Sequence, residues 1–484
     1  MIVGRLDEVD KLEGIWGHAS SSVTSENPVT VDVTVRRLEE SGKLGQVILQ
    51  QSVRADLPRP DLPHRSGFSC PFSPGDNGGY FVQASVKGSM LPADGPEGIG
   101  DSPGIRIVRL AVSDVEFWLR FKGIVIGNDQ KPCNGNFGYV GYSSVMLDSE
   151  EPPGSQSRVK MWFAGWPGDF MYYAHSPTPF ERFQTDFSPI LVPSGIMNAP
   201  CRYDKLSADS RDEDIPSTRD SLLAADPTVI KVPFPDAVGH RYFMYYNGTS
   251  HGSIYNSIFF ADSSDGLHWS KKDGTNSGKP IPYPVIQVKY PDKIQRFGGG
   301  YGAAIQSVIH VPEGFLAYYL DWTQLGANGL GHLRATYMAP GGWAPMQDSF
   351  ATNLNIGEFD TRLFVREAGD GNAQNIIILV SAWPGDPPAP REGYLLFCVS
   401  EDRLHFSAPA RVPMAWLTSS PYHRSVSKPS LLGNEGGWIS RQRESAIYLD
   451  VGYGYPSDPA IPGVARGKPA YDDSEIGVIK VSIY

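Results

Sequence analysis

Apolar and aromatic residues fall in short runs broken by Gly, Pro, Asn, Asp and Ser. They do not recur at the three-to-four spacing of a helix. The clearest stretch is Ala225 to Gly274, which holds three such runs: Thr228–Val232, Arg241–Tyr246 and Ile258–Asp262. Val, Ile, Phe and Tyr suit a pleated, half-buried surface, so each run predicts a strand. Ser264-Asp265-Gly266 predicts a tight turn, since Gly tolerates positive φ and Asp bonds its own backbone. Trp269 then opens a fourth, outer strand. Four short antiparallel strands joined this way form one propeller blade.

The pattern repeats. VKMWFAGWPGD (Val159–Asp169), GFLAYYLDWTQLG (Gly314–Gly326), NIIILVSAWPGDP (Asn375–Pro387) and SAIYLDVGYGYP (Ser445–Pro456) each supply another aromatic-rich or apolar second strand. The five runs centre on Trp162, Met244, Tyr318, Ile378 and Tyr448, a spacing of about 60 to 80 residues that predicts radially arranged units. The expected fold is all-β, a five-bladed β-propeller over residues 136–484 with an additional N-terminal β-rich segment over 1–135. That segment is either an appended β-domain or a source of outer and closing strands. Closure favours the second use, because the last unit ends at its third strand, Ile476–Tyr484, and an open ring leaves an exposed edge.

Composition sharpens this picture. Gly 52 and Pro 41 among 484 residues fit many turns. The net charge of −11 argues against a nucleic-acid partner, which needs a basic footprint. Cys70, Cys133, Cys201 and Cys398 show no metal-finger rhythm; they read as unpaired thiols, with a Cys70–Cys133 bridge as the alternative. The charged start MIVGRLDEVDKLEGIWG has no apolar leader core, and no run approaches the roughly 20 apolar residues of a membrane span. The expectation is a soluble, cytoplasmic protein with no membrane partner; the sequence leaves the oligomeric state unknown.

In a propeller the inner strands converge on an axial funnel. Aligning those strands on their apolar centres puts Asp226 of DPTVI, Asp360 of FDTRLF, Lys428 of SKPSLL, Tyr142 of YSSVML and Ile305 of AIQSVI at one rim, with Glu358 two residues before Asp360. Paired carboxylates can divide into acid and base when their surroundings push their pKa values apart. Asp226, Asp360 and Glu358 are therefore the candidate catalytic residues. Alternatively, Asp-Pro merely starts a strand.

The run DPTVIK, YFMYYNGTS and IFFADSSDGLHWS resembles the five-bladed propeller glycoside hydrolases of families 43, 32, 62, 117 and 130. The likeness is strong over Ala225–Gly274, weaker in the other units and absent from the first 135 residues or so. It implies a rim Asp as base or nucleophile, a second Asp that tunes or orients, and a later Glu as acid. Only Asp226 matches a motif directly. Tyr142 stands at the rim position of the families' first Asp, and Lys428 where a DP motif would place Asp.

Trp166, Trp322 and Trp383 share one corner of the repeat, where aromatic faces could stack on a sugar or pack between blades. His423 precedes the fifth inner strand as a base or ligand candidate. With Tyr142 and Lys428, these four make the candidate substrate-binding set. Asp321 and Asp450 end second strands, whose ends could face the substrate side, and read rather as turn caps. Asn247-Gly248-Thr249 reads as a turn rather than a glycosylation site. The insertion Pro200–Ala224 lies just before Asp226 and could overhang the funnel. No catalytic metal is expected and no cofactor, though the axis leaves room for a structural cation. Three functions stay open: a glycoside-acting hydrolase on a small-molecule or saccharide substrate; a glycosidase-like propeller redirected to cyclisation or isomerisation in biosynthesis; and a non-catalytic ligand-binding propeller.

Overall fold

The computed structural model describes residues 2–11, 14–21, 30–55, 65–86, 104–131, 140–165, 170–194, 220, 223–233, 239–249, 256–272, 284–287, 302–326, 330–341, 345–346, 348–367, 373–383, 393–420, 423, 426–439, 444–452 and 474–484. Among the described residues eight strands precede residue 127: β1 (Ile2–Asp10), β2 (Gly14–Ser21), β3 (Thr30–Leu38), β4 (Leu44–Arg54), β5 (Arg65–Cys70), β6 (Gly78–Val86), β7 (Ile105–Val112) and β8 (Val115–Ile126). In β3 the buried Val31, Val33 and Val35 alternate with partly exposed residues, the period of two that seats one face of a strand on a core.

The chain is an all-β β-propeller. β9 (Val140–Leu147), β10 (Val159–Gly165) and β11 (Phe170–Ser176) form one antiparallel sheet. β12 (Leu223–Lys231), β13 (Tyr242–Thr249), β14 (Ser257–Ser263) and β15 (Ser270–Lys271) form the next, and β16 (Ala303–Val311), β17 (Gly314–Leu325), β18 (Gly331–Met338) and β19 (Phe350–Ile356) another. β20 (Phe359–Glu367), β21 (Ala373–Trp383), β22 (Tyr394–Ser400) and β23 (Ala410–Pro413) follow, before β24 (Val426–Leu431), β25 (Trp438–Ile439), β26 (Glu444–Val451) and β27 (Glu475–Ile483). β25 pairs in parallel with β20.

The aromatic runs are the second strands β10, β13, β17, β21 and β26, each hydrogen-bonded on both sides. Both faces of such a strand pack against neighbouring sheets, so large apolar side chains fit throughout. Trp162, Tyr245, Tyr318 and Tyr448 are all fully buried, each worth on the order of 2–3 kcal/mol. β27 pairs with β26 on one side and with β8 on the other. The last sheet therefore runs β24-β26-β27-β8-β7-β6-β3-β4, while β1, β2 and β5 form a separate sheet.

The first strands contact one another in a cycle, β9 to β12 to β16 to β20 to β24 and back to β9. Residues 432–439, which follow β24, cross one end of this cycle. Gly433 O accepts from Leu147 N (2.8 Å), Glu435 O from Lys231 N (2.8 Å), Gly436 O from His310 N (2.8 Å) and Gly437 O from Leu363 N (3.1 Å). One segment thus ties the late residues of the other four inner strands and caps that end of the axis. Gly437 does this at φ 78°, with room for a Cβ only 3.3 Å from Val308 O.

Among the described residues Cys70 and Cys398 are buried and carry no disulfide; Cys133 and Cys201 lie outside them. No helix of the described residues is long and apolar enough to cross a membrane.

Candidate functional site

The opposite ends of the inner strands carry the rim. Three rim residues have left-handed backbones without being glycine: Tyr142 (φ 54°), Asp226 (φ 52°) and Lys428 (φ 49°). Each lies in a ladder irregularity, between Gly141 and Ser144, Ala225 and Thr228, and Ser427 and Ser430. A bulge re-aims a side chain, and a non-glycine residue held there costs about 1–3 kcal/mol that the surrounding structure must offset. β16 skips at Ile305 in the same way, while β20 is regular through Asp360. Tyr142, Asp226, Gln306, Asp360 and Lys428 line one small pocket of about 40 Å³.

Four of the site's groups gather at Lys428. Its Nζ lies 3.7 Å from Asp226 Oδ1 and 3.8 Å from Glu358 Oε1, and it rests against the Tyr142 ring. Its backbone N–H donates to Glu358 Oε2 at 3.0 Å. Asp226 Oδ2 accepts from Asn247 Nδ2, and Asp226 O accepts from Gln306 Nε2. Behind Lys428 stands Asp450, 2% exposed, with Oδ2 accepting from Ser427 Oγ at 3.4 Å. Gly141 passes so close that any Cβ there would collide with the Asp450 carboxyl.

Burial drives the titration of this group. It raises the Glu358 carboxyl well above the ordinary value, with the charges of Asp450 and Asp226 pushing the same way against the Lys428 N–H. Burial also raises Asp450, opposed by Lys428, Ser427 and Lys131. The same desolvation lowers the Lys428 amine well below its usual value, against the pull of Asp450. Two carboxyls and one amine are thus driven towards their uncharged forms.

Asp360 lines the pocket, but its oxygens are committed elsewhere. Oδ1 accepts from Ser307 Oγ (2.5 Å), Arg362 (2.7 Å) and Thr361 N (2.8 Å), and Oδ2 accepts from Leu431 N (2.7 Å). It clamps β16, β20 and β24 together. Of the three candidate carboxylates, the structure brings Asp226 and Glu358 to one lysine and sets Asp360 beside them as a tie.

The rest of the expected binding set divides. Tyr142 and Lys428 line the pocket. Trp322 does not: its ring lies over Gly331 and packs against the apolar cluster that β16–β19 share with β20–β22. His423 does not line the pocket either. It lies 3.7 Å from Glu475 and against Phe121, over the β27–β8 side of the last sheet. Trp166 lies outside the described residues, as does the Trp383 side chain. The aromatic lining is instead Tyr142 and Phe359. Residues 200–219 of the insertion lie outside the described residues. Asp220 is buried, its Oδ2 accepting from Lys271 Nζ (2.5 Å) and the Tyr246 hydroxyl (3.0 Å).

Asn247 and Asp450, read from sequence as turn residues, stand instead beside the rim. Asn247 is fully buried in β13 opposite Ala225, and Asp450 sits in β26 opposite Ser427. Each is the second-strand neighbour of the residue just before a rim residue, which is the register signal that finds both. Asp321 keeps a turn-capping role, accepting from Thr323 N at 3.0 Å. Ser143, Gln306 and Ser430 each hold a buried side-chain oxygen with no hydrogen-bond partner among the described residues. Such a lining suits a ligand rich in hydroxyls better than an apolar one. Among the described residues no three His, Cys, Asp or Glu side chains gather to hold a metal ion.

No protein-family model matches the sequence, and no curated protein does. Solved structures do. A thermostable family-43 glycoside hydrolase is similar at 10% identity, over 73% of this chain and 91% of that one, with a TM-score of 0.39. A family 117 glycoside hydrolase of Zobellia galactanivorans is similar at 11% identity, over 75% and 90%, with a TM-score of 0.41. An N-acetylgalactosamine deacetylase from F. plautii, in complex with blood group B trisaccharide, is similar at 13% identity, over 75% and 95%, with a TM-score of 0.43. The chain is a β-propeller similar to glycoside hydrolase propeller structures.

Proposed function

We propose that this chain is a glycoside-acting enzyme whose acid is Glu358 and whose base or nucleophile is Asp226. The observation that carries the reading is that both carboxyls lie within 3.8 Å of one Lys428 Nζ, that Asp226 and Lys428 line the pocket, and that burial holds Glu358 towards its protonated form. A protonated Glu358 can donate to the leaving-group oxygen. Asp226, fixed by the Asn247 amide, can activate water or attack the sugar carbon; the separation of the two carboxyls in the bound complex sets inversion or retention. The orphaned oxygens of Ser143, Gln306 and Ser430 favour a saccharide as substrate. Asp360 acts here as a positioning residue. We read the ring as five blades over residues 136–484, with residues 1–135 supplying strands to the last blade.

A second reading, acid/base chemistry without hydrolysis, is favoured by the amine standing between the two carboxyls. Steady-state rates on a panel of aryl glycosides decide between them. The first reading expects turnover that falls about 10²–10⁴-fold in Asp226→Asn. A folded wild-type protein inactive on every glycoside of the panel favours the second.

A further inference from the structure

Lys428 differs from two other buried lysines of the propeller strands, Lys160 of β10 and Lys231 of β12. At the capped end of the axis, Lys160 and Lys231 reach Asp148 at 2.6 and 2.9 Å, ordinary hydrogen-bonded ion pairs in a buried cluster. Lys428 Nζ comes no closer than 3.7 Å to a carboxylate and makes no hydrogen bond among the described residues. A lysine kept for stability alone pairs as Lys160 and Lys231 do. Lys428 is instead held on a left-handed backbone, which Glu358 fixes through its N–H, with the side chain 6% exposed at the pocket.

We propose that Lys428 Nζ captures a carbonyl-bearing ligand, an aldehyde or ketone such as the open-chain form of a reducing sugar, as an imine. The amine lone pair attacks the carbonyl carbon, and Glu358 gives its proton to the carbonyl oxygen. Glu358 recovers a proton from the nitrogen, forming a carbinolamine. A second donation from Glu358 releases the hydroxyl as water, the C=N bond forms, and the iminium proton returns to Glu358. One water leaves, no electrons are exchanged, and hydrolysis reverses the step. Desolvation of the amine keeps its lone pair available near neutrality, where an ordinary lysine is less than about 0.1% unprotonated. The Tyr142 ring covers the amine and, being only partly buried, can swing to admit the ligand. The proposal uses the pocket of the glycoside reading but needs no glycoside turnover.

The test treats the intact wild-type protein with glyceraldehyde and cyanoborohydride at pH 6.5, then maps modified lysines by peptide mass. Imines reduced to secondary amines mark the reactive sites. Lys428 is expected to label at least about tenfold faster than the exposed lysines, given the larger unprotonated fraction of a desolvated amine. Tyr142→Ala is expected to raise that rate further. Labelling of wild-type Lys428 no faster than the exposed lysines overturns the proposal. The readout is a covalent mass at one residue, so a protein inactive on glycosides can still show it, and an active one can fail to.

Discussion

Glu358 holds both ends of Lys428. Its Oε2 accepts the lysine's backbone N–H at 3.0 Å, and its Oε1 lies 3.8 Å from the same residue's Nζ. One side chain thus bonds the left-handed backbone of Lys428 and stands, with Asp226, beside its amine. Glu358→Ala should lower stability by about 1–3 kcal/mol, the cost of orphaning a buried N–H. Glu358→Gln retains an acceptor oxygen and should lose less. Urea denaturation of the two variants checks this; equal losses contradict it.

Asp360 makes the opposite prediction. Asp360→Asn leaves the buried Arg362 without its carboxylate, a change that typically costs about 3–5 kcal/mol. The loss should appear in chemical denaturation, with turnover per folded molecule largely kept. A variant of wild-type stability with turnover reduced as far as in Asp226→Asn would make Asp360 a catalytic partner instead.

Asp450 ties stability to pH. Its folded carboxyl titrates well above the ordinary carboxylate value, so the folded chain binds this proton more tightly than the unfolded one. That contribution is complete below the unfolded value of about 4 and is lost as pH rises through the folded value. Asp450→Asn is neutral throughout and should flatten the decline in stability between the two. Unfolding free energies measured across that range, equally steep in both proteins, would contradict the assignment.

The cap on the axis predicts a backbone effect. Gly437 sits at φ 78° and ties Leu363. Gly437→Ala should cost about 1–2 kcal/mol, since a non-glycine residue there is strained. Denaturation at an unchanged midpoint contradicts this.

The period of the aromatic runs carried much of the fold, because central strands packed on both faces leave a strong apolar signature: Trp162, Tyr318 and Tyr448 are all buried. The rim was legible by the same alignment, and Tyr142, Asp226 and Lys428 share both position and backbone conformation. What stayed hidden depended on side-chain geometry. Asp226 and Asp360 look alike in sequence, yet one faces a lysine across the pocket and the other is consumed by Ser307, Arg362, Thr361 and Leu431. Asp321 and Asp450 both end second strands, and only Asp450 enters the site. His268 of GLHW and His405 of RLHF stand at like places in two units; each closes a turn on an Asp, at 2.7 and 2.6 Å, and neither belongs to the pocket.

The most direct test of the acid and base assignment compares leaving groups. If Glu358 protonates the departing oxygen, Glu358→Gln should lose most turnover on glycosides with poor leaving groups, about 10²–10⁴-fold. It should lose little on a dinitrophenyl glycoside, whose phenolate leaves without a proton. Asp226→Asn should lose both. Equal losses on both substrate types in Glu358→Gln, or full activity in Asp226→Asn, would contradict the account.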